Sequence, residues 1–125
     1  MTEEREGVER ILICGGREFA DYDYLSKEVS KHRPKLIIHG GAKGADALAG
    51  RYADTWGIPC MSFPAPWFYH DKSAGPIRNG WMLRFGTPSI ILAFPGGRGT
   101  ANMIEQAQNV GLPVIQLDPN QEEAS

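Results

Sequence analysis

Cysteine is scarce in this chain. Its two cysteines, Cys14 and Cys60, lie far apart and form no CxxC pair. That excludes a disulfide framework and a zinc site of paired ligands. Each thiol sits in or beside an apolar run and reads as a small buried hydrophobe, which suits a reducing cytoplasm. Bias of charge is equally lacking: 13 Lys and Arg face 15 Asp and Glu, for a net charge of −2, with no basic block. Nucleic acid and membrane surfaces are therefore not the expected partners. No leader segment is read at the start, and no apolar run is long enough to span a bilayer. His39 with Cys14 and Cys60 makes no paired-ligand set, so no resident metal is expected; Mg²⁺ accompanying a phosphate ligand is the exception.

What is present is a globular composition, 42% hydrophobic and 22% charged over 125 residues. This is the size of one domain, able to bury a core without cross-links. Residues 1–8 and 118–125 are polar and read as solvated ends. The organising stretch is Ile90-Ile91-Leu92-Ala93-Phe94-Pro95-Gly96-Gly97-Arg98-Gly99-Thr100. Its continuous apolar part suits a strand covered on both faces. Its glycines allow a tight turn and close approach to a ligand. Thr100 opens a segment with Met103, Ala107 and Val110 at helical spacing. A helix N-terminus after a glycine turn offers free N–H groups and a positive dipole end, both suited to phosphate.

The same device occurs twice more. Ile11-Leu12-Ile13-Cys14 is a strand running into Gly15-Gly16-Arg17-Glu18-Phe19, and Leu36-Ile37-Ile38-His39 is a strand running into Gly40-Gly41-Ala42-Lys43-Gly44-Ala45-Asp46. Asp21 is placed to cap a helix carrying Tyr22, Leu25 and Val29. Ala45, Leu48, Ala49, Tyr52, Ala53 and Trp56 mark a second helix, and Ile77, Trp81 and Phe85 mark one face of a third, which begins at Ala74 or Gly75. Gly57-Ile58-Pro59, Gly86-Thr87-Pro88 and Gly111-Leu112-Pro113 each pair a helix-ending glycine with a proline before the next apolar run. Further strands are expected at Cys60–Phe63, 89–94 and Val114–Leu117. The order βαβαβαβαβ predicts an α/β fold, a Rossmann-like doubly wound parallel sheet of about five strands with helices on both faces. In such a sheet the three glycine turns converge at the C-terminal edge, where ligands bind.

The candidate residues each have two readings. Gly96, Gly97, Gly99 and Thr100, with Pro95 before them, either hold phosphate through backbone N–H groups and a hydroxyl or form an ordinary capped turn; phosphate is the favoured reading. Arg17 and Arg98 either clamp phosphate or stay solvated. Asp46 either complements its helix dipole, bonds a ribose hydroxyl or acts as a base, and Glu18 is the alternative acid or base. Lys43 is a cation at the 40–46 turn or a solvated one. Arg78 and Asn79 contact a ligand or bond the neighbouring loop. His39 reads as a hydrogen-bonded structural histidine. Trp67, Phe68, Tyr69, His70 and Asp71 lie in an aromatic segment, Pro64 to Ser73, which is either a lid over a base or a contact between copies.

Four ordered blocks carry a resemblance: Gly15-Gly16-Arg17-Glu18-Phe19, His39 to Asp46, Gly75-Pro76-Ile77-Arg78-Asn79 through Met82, and Pro95 to Thr100. Together they resemble the SLOG superfamily of Rossmann-like proteins, most closely its YspA-like branch. The resemblance implies a nucleotide or nucleotide-derived ligand, such as a nucleoside monophosphate or an ADP-ribose-like species. It also implies a homodimer, with ligand contacts at Gly15, Gly16, Arg17, Gly40, Gly41, Lys43, Gly44, Arg78, Asn79 and the 95–100 turn. The LOG enzymes of the superfamily hydrolyse the N-glycosidic bond of nucleoside monophosphates, using a glutamate two or three residues beyond PGGxGT. Here Asn102 and Met103 stand in those places. Asparagine cannot ionise, so a sensor or sequestering protein is favoured over a phosphoribohydrolase, for which Glu18 or Asp46 would have to replace the missing acid.

Overall fold

The computed structural model describes residues 7–66 and 73–122. The aromatic stretch 67–71 lies outside the described residues. Five apolar runs form the strands: β1 (Arg10–Cys14), β2 (Leu36–His39), β3 (Cys60–Ser62), β4 (Ile90–Ala93) and β5 (Val114–Gln116). They pair in the order β3-β2-β1-β4-β5, every neighbouring pair parallel. The helices between them are α1 (Tyr22–Ser30), α2 (Ala45–Trp56), α3 (Ala74–Gly86) and α4 (Arg98–Asn109), with a short α5 (Pro119–Glu122) at the end. The expected α/β architecture is the one observed.

Alternation along the central strands sorts the core into two halves. Ile11, Ile13, Ile37, Leu92 and Phe94 face Leu25 and Val29 of α1 and Ala49 and Tyr52 of α2. Leu12, Cys14, Ile38, Ile91 and Ala93 face Met82 of α3 and Met103 and Ala107 of α4. The strands are apolar at successive positions because both faces are covered. Among the described residues no helix is long and apolar enough to cross a membrane.

Several local expectations change, and one is Cys60: read as a small buried hydrophobe, it is exposed on the edge strand β3. The stripe Ile77, Trp81 and Phe85 is not the buried face of α3; Ala74, Asn79, Met82 and Gly86 are buried, and Phe85 is 57% exposed. The helix bonds its neighbours through polar groups on its inner side, which an apolar periodicity does not reveal. Val110 and Trp56 are likewise exposed, at helix ends. The αL residue after α3 is Thr87, at φ +46°, rather than Gly86. Gly86 is the last residue of the helix, and a Cβ there would stand 2.9 Å from Ile38 Cδ1. The glycine thus admits close helix–sheet approach, while Arg10 Nη1 caps its carbonyl at 2.7 Å. Gly57 and Gly111 do take the left-handed conformation. Residues 119–122, expected as part of a solvated end, form a helical turn whose start is bonded by Asp118 Oδ1 to Asn120 N at 2.9 Å.

The strand order places the site. The chain leaves β1 towards β2 and β3, then crosses back to place β4 on the other side of β1. The winding reverses between β1 and β4, so their C-terminal turns splay apart into a crevice.

Candidate functional site

The crevice is framed by three glycine turns that meet at one residue, Gly16. Gly16 N–H donates to Pro95 O at 2.7 Å, and Gly16 O accepts from Ala45 N at 3.1 Å and Phe19 N at 3.2 Å. The turns after β1, β2 and β4 are thus joined backbone to backbone. Side chains are excluded there for steric reasons: a Cβ on Gly16 would lie 2.9 Å from Gly96 Cα, and one on Gly15 would lie 2.6 Å from Ala45 Cβ. On Gly44 a Cβ would strike Gly16 O, and on Gly96 it would strike Thr100 Oγ1. Gly44 also sits at φ +75°.

Above this frame opens a cleft of about 640 Å³. Of the residues expected at the site, Gly15, Gly16, Arg17, Gly40, Gly41 and Lys43 line it. So do Asp46, Arg78, Asn79, Gly97, Arg98, Gly99 and Thr100, together with the acid Glu18. Gly44, Pro95 and Gly96 do not line it; they belong to the frame beneath. The wall carries the cations Arg17, Lys43, Arg78 and Arg98 against the carboxylates Glu18 and Asp46. Arg17, Glu18, Lys43 and Arg98 are at the rim, whereas Asp46 is 7% exposed.

Two helices begin at this cleft, each after a glycine N-cap with no side-chain capping bond. At α4 the N-cap is Gly97, with no side-chain capping bond. Ala101 N reaches back to Gly97 O at 3.0 Å, so the N–H groups of Arg98, Gly99 and Thr100 precede the first intrahelical donor. Among the described residues, and apart from the local backbone, no atom comes within 4 Å of where a Cβ on Gly97 or Gly99 would stand. Unlike Gly16 or Gly96, these two are not needed by the packing; they leave open space at the helix end.

At α2, Leu48 N likewise reaches back to Gly44 O at 3.0 Å, and the bonded N–H groups are those of the preceding turn and of the first helical residue. Gly41 N donates to His39 Nδ1 at 3.0 Å, Ala42 N to Asp46 Oδ2 at 3.2 Å, and Ala45 N to Gly16 O. The bond to Nδ1 makes that nitrogen an acceptor, so the His39 proton sits on Nε2. His39 is 8% exposed; burial lowers its pKa, Asp46 opposes that and Arg78 adds to it. Burial raises the pKa of Asp46, against the N–H groups of Ala42 and Gly40 and the charges of Arg78 and His39, which lower it. Cys14, at the cleft floor, has its thiol pushed up to about 12, by burial first and Asp46 second, and is inert as a nucleophile. Among the described residues no group of three or more His, Cys, Asp or Glu could hold a metal.

Arg78 and Asn79 bridge the two turns. Arg78 Nη1 donates to Gly40 O at 2.5 Å and to Phe63 O at 3.5 Å, and its Nε donates to Asn79 Oδ1 at 3.1 Å. Burial lowers the pKa of this guanidinium, with Asp46 and Cys14 opposing. Asn79 Nδ2 then donates to Gly99 O at 3.2 Å and to Asn102 Oδ1 at 3.1 Å. Gln106 Nε2 donates to the same Asn102 oxygen at 2.7 Å and to Pro76 O at 3.0 Å. Asn102 is therefore a tie between α3 and α4, and Met103 is wholly buried in the core. Asn102 and Gln106 gave no signal as structural partners in the sequence, because the pairing of α3 with α4 is a tertiary fact.

Residues 9–70, from β1 into the segment after β3, match the family described as YspA, cpYpsA-related SLOG (YAcAr). Gene 61 protein of Mycobacterium phage D29 is 39% identical over 122 residues, an alignment covering 86% of this chain and 95% of that protein. The chain belongs to the YspA, cpYpsA-related SLOG family. Family membership points to nucleotide-related binding. Two of the glycine turns, after β1 and β2, lie inside the matched range; the 96–100 turn lies beyond it and stands on its geometry.

Proposed function

We propose that the cleft binds a nucleotide or nucleotide-derived ligand through one phosphate held at the N-terminus of α4, and that the protein retains this ligand intact, as a sensor or sequestering protein. The observation that carries the proposal is the α4 start, where uncapped N–H groups face open space left by Gly97 and Gly99. Arg98, Arg17 and Lys43 along the cleft add the cationic rim a phosphate needs. The α2 turn supports a different contact. Its N–H groups at Gly41, Ala42 and Ala45 are bonded internally and it carries the Asp46 carboxylate, so it disfavours a second phosphate and suits a ligand hydroxyl or amine.

The absence of hydrolysis is supported by Asn102. Of the two places where the LOG enzymes hold their acid, Asn102 is an amide whose oxygen accepts from Asn79 and Gln106, and Met103 is buried in the core. Among the described residues, Glu18 is the other carboxylate lining the cleft besides the buried Asp46, and it stands at the rim rather than behind the phosphate turn.

The test is chromatography of a nucleotide pool after incubation with the purified protein. The pool contains nucleoside monophosphates, NAD, ADP-ribose and cyclic nucleotides, and both retained ligand and released base are analysed. An intact phosphate-bearing species should be retained by the parent protein and lost by Gly97→Asp, with no free base above the no-protein control. Released base would establish the hydrolase instead. Equal retention by Gly97→Asp would remove the α4 turn from the site.

A further inference from the structure

The glycines that open the α4 turn also deprive it of rigidity. Among the described residues, Gly97 and Gly99 have no neighbours against which a side chain could brace them, and glycine backbone is the least restricted of all. A phosphate cradle needs its N–H groups fixed in direction before the ligand arrives, since ordering them on binding would cost affinity. An anchor outside the turn adds to what the first turn of α4 itself supplies.

We infer that Asn79 is the positioning residue of the phosphate turn, fixing the direction of the Thr100 N–H by anchoring the Gly99 carbonyl from behind. This rests on the phosphate reading of α4. The Gly99 carbonyl and the Thr100 N–H belong to one planar trans peptide and point in opposite directions. Asn79 Nδ2, 3.2 Å from Gly99 O, thus sets the tilt of that peptide. A bonded carbonyl also polarises its own N–H, making it a better donor to an anion. Asn79 is suited to the task because it is itself held: it is 4% exposed, and its oxygen is fixed by Arg78 Nε at 3.1 Å. Arg78 in turn bonds Gly40 O. The direction of the phosphate donors is thereby tied to the turn after β2, on the opposite wall of the cleft.

The experiment uses sulfate, whose charge is constant over the working pH range, and follows the backbone ¹⁵N–¹H signals of Arg98, Gly99 and Thr100 during titration. Asn79→Asp keeps the oxygen that accepts from Arg78 but replaces the donor to Gly99 O with a second oxygen. At pH 8 it should weaken sulfate binding at least tenfold, with the Thr100 signal displaced even before sulfate is added. On acidification the introduced carboxyl becomes a donor, and its affinity relative to the parent should recover. Gln106→Ala breaks the same α3–α4 tie at Pro76 O and Asn102 without touching Gly99, and should bind sulfate within twofold of the parent. Equal weakening by Gln106→Ala and Asn79→Asp would reduce Asn79 to helix packing and overturn the inference. So would parental affinity in Asn79→Asp. If the parent protein itself gives no sulfate-dependent shift at 98–100, the phosphate reading fails first, and the inference with it. Should Asn79→Asp not fold, Asn79→Ala, which removes the donor to Gly99 O, takes its place: at least tenfold weakening that does not vary with pH supports the inference, and parental affinity overturns it.

Discussion

Gly16 and Gly97 sit in neighbouring turns of the same sheet edge, yet their missing side chains serve different ends. At Gly16 a methyl group would stand 2.9 Å from Pro95 O and from Gly96 Cα. Gly16→Ala should therefore cost about 1–3 kcal/mol of stability through backbone displacement, read as a lowered urea midpoint. Gly97 meets nothing within 4 Å among the described residues and is the N-cap of α4. Gly97→Asp should leave the midpoint unchanged or raise it, by roughly a few tenths of a kcal/mol, because Asp is a good N-cap. Ligand retention should nonetheless disappear, since the carboxylate would occupy the place proposed for the phosphate. A loss of stability comparable with that of Gly16→Ala would contradict the distinction. His39 offers a titration. Its Nδ1 accepts from Gly41 N, and burial lowers its pKa, so the unfolded chain takes up the proton at higher pH than the folded one. Stability should then fall as pH drops from the ordinary imidazole range, about 6.5, towards the lower folded value. Asp46, whose pKa is raised, acts with the opposite sign as pH falls through its own folded value. His39→Asn keeps an acceptor in place of Nδ1 and cannot titrate, so its urea midpoint should decline less than the parent's between pH 7 and pH 5.5.

At the scale of elements, the strands were readable because each is a short apolar run with turn residues at both ends, and the three glycine turns could be assigned to one edge from topology alone. Asp21 was readable as a cap, and its Oδ1 accepts from Tyr24 N at 3.0 Å. The inner face of α3 was not readable. Ile77, Trp81 and Phe85 recur at helical spacing, but the buried set includes Asn79, and Arg78 reaches inward to Gly40 O. Hydropathy periodicity assumes that buried means apolar, and α3 is where the site imposes polar residues on a buried face. Substitutions separate the two faces. Met82→Ala should cost about 2–5 kcal/mol, as for any large core side chain, whereas Phe85→Ala should change stability by less than about 0.5 kcal/mol. Denaturant unfolding of both variants checks this, and a larger loss for Phe85→Ala would restore the face suggested by the pattern.

For the molecule as a whole, ligand binding links the cleft to global stability. A ligand present at 100 times its dissociation constant should raise the unfolding free energy by about 2.7 kcal/mol, visible as a higher melting temperature. Hydrogen exchange should slow first at residues 15–18 and 96–102, which bracket the switch point between β1 and β4. Protection confined to the far edge, at β3 or β5, would place the ligand elsewhere.

The joint at Gly16 has a consequence for how such a protein can change its ligand. The frame is made of main-chain atoms, with Gly16 bonded to Pro95, Ala45 and Phe19, and so contains no side-chain chemistry to alter. The rim residues Arg17, Glu18, Lys43 and Arg98 bear no weight in that joint. Exchanging them would retune the charge and shape offered to a ligand while the scaffold stays as it is. One such chassis can therefore serve relatives with different chemical appetites, and redesign should begin at those four positions.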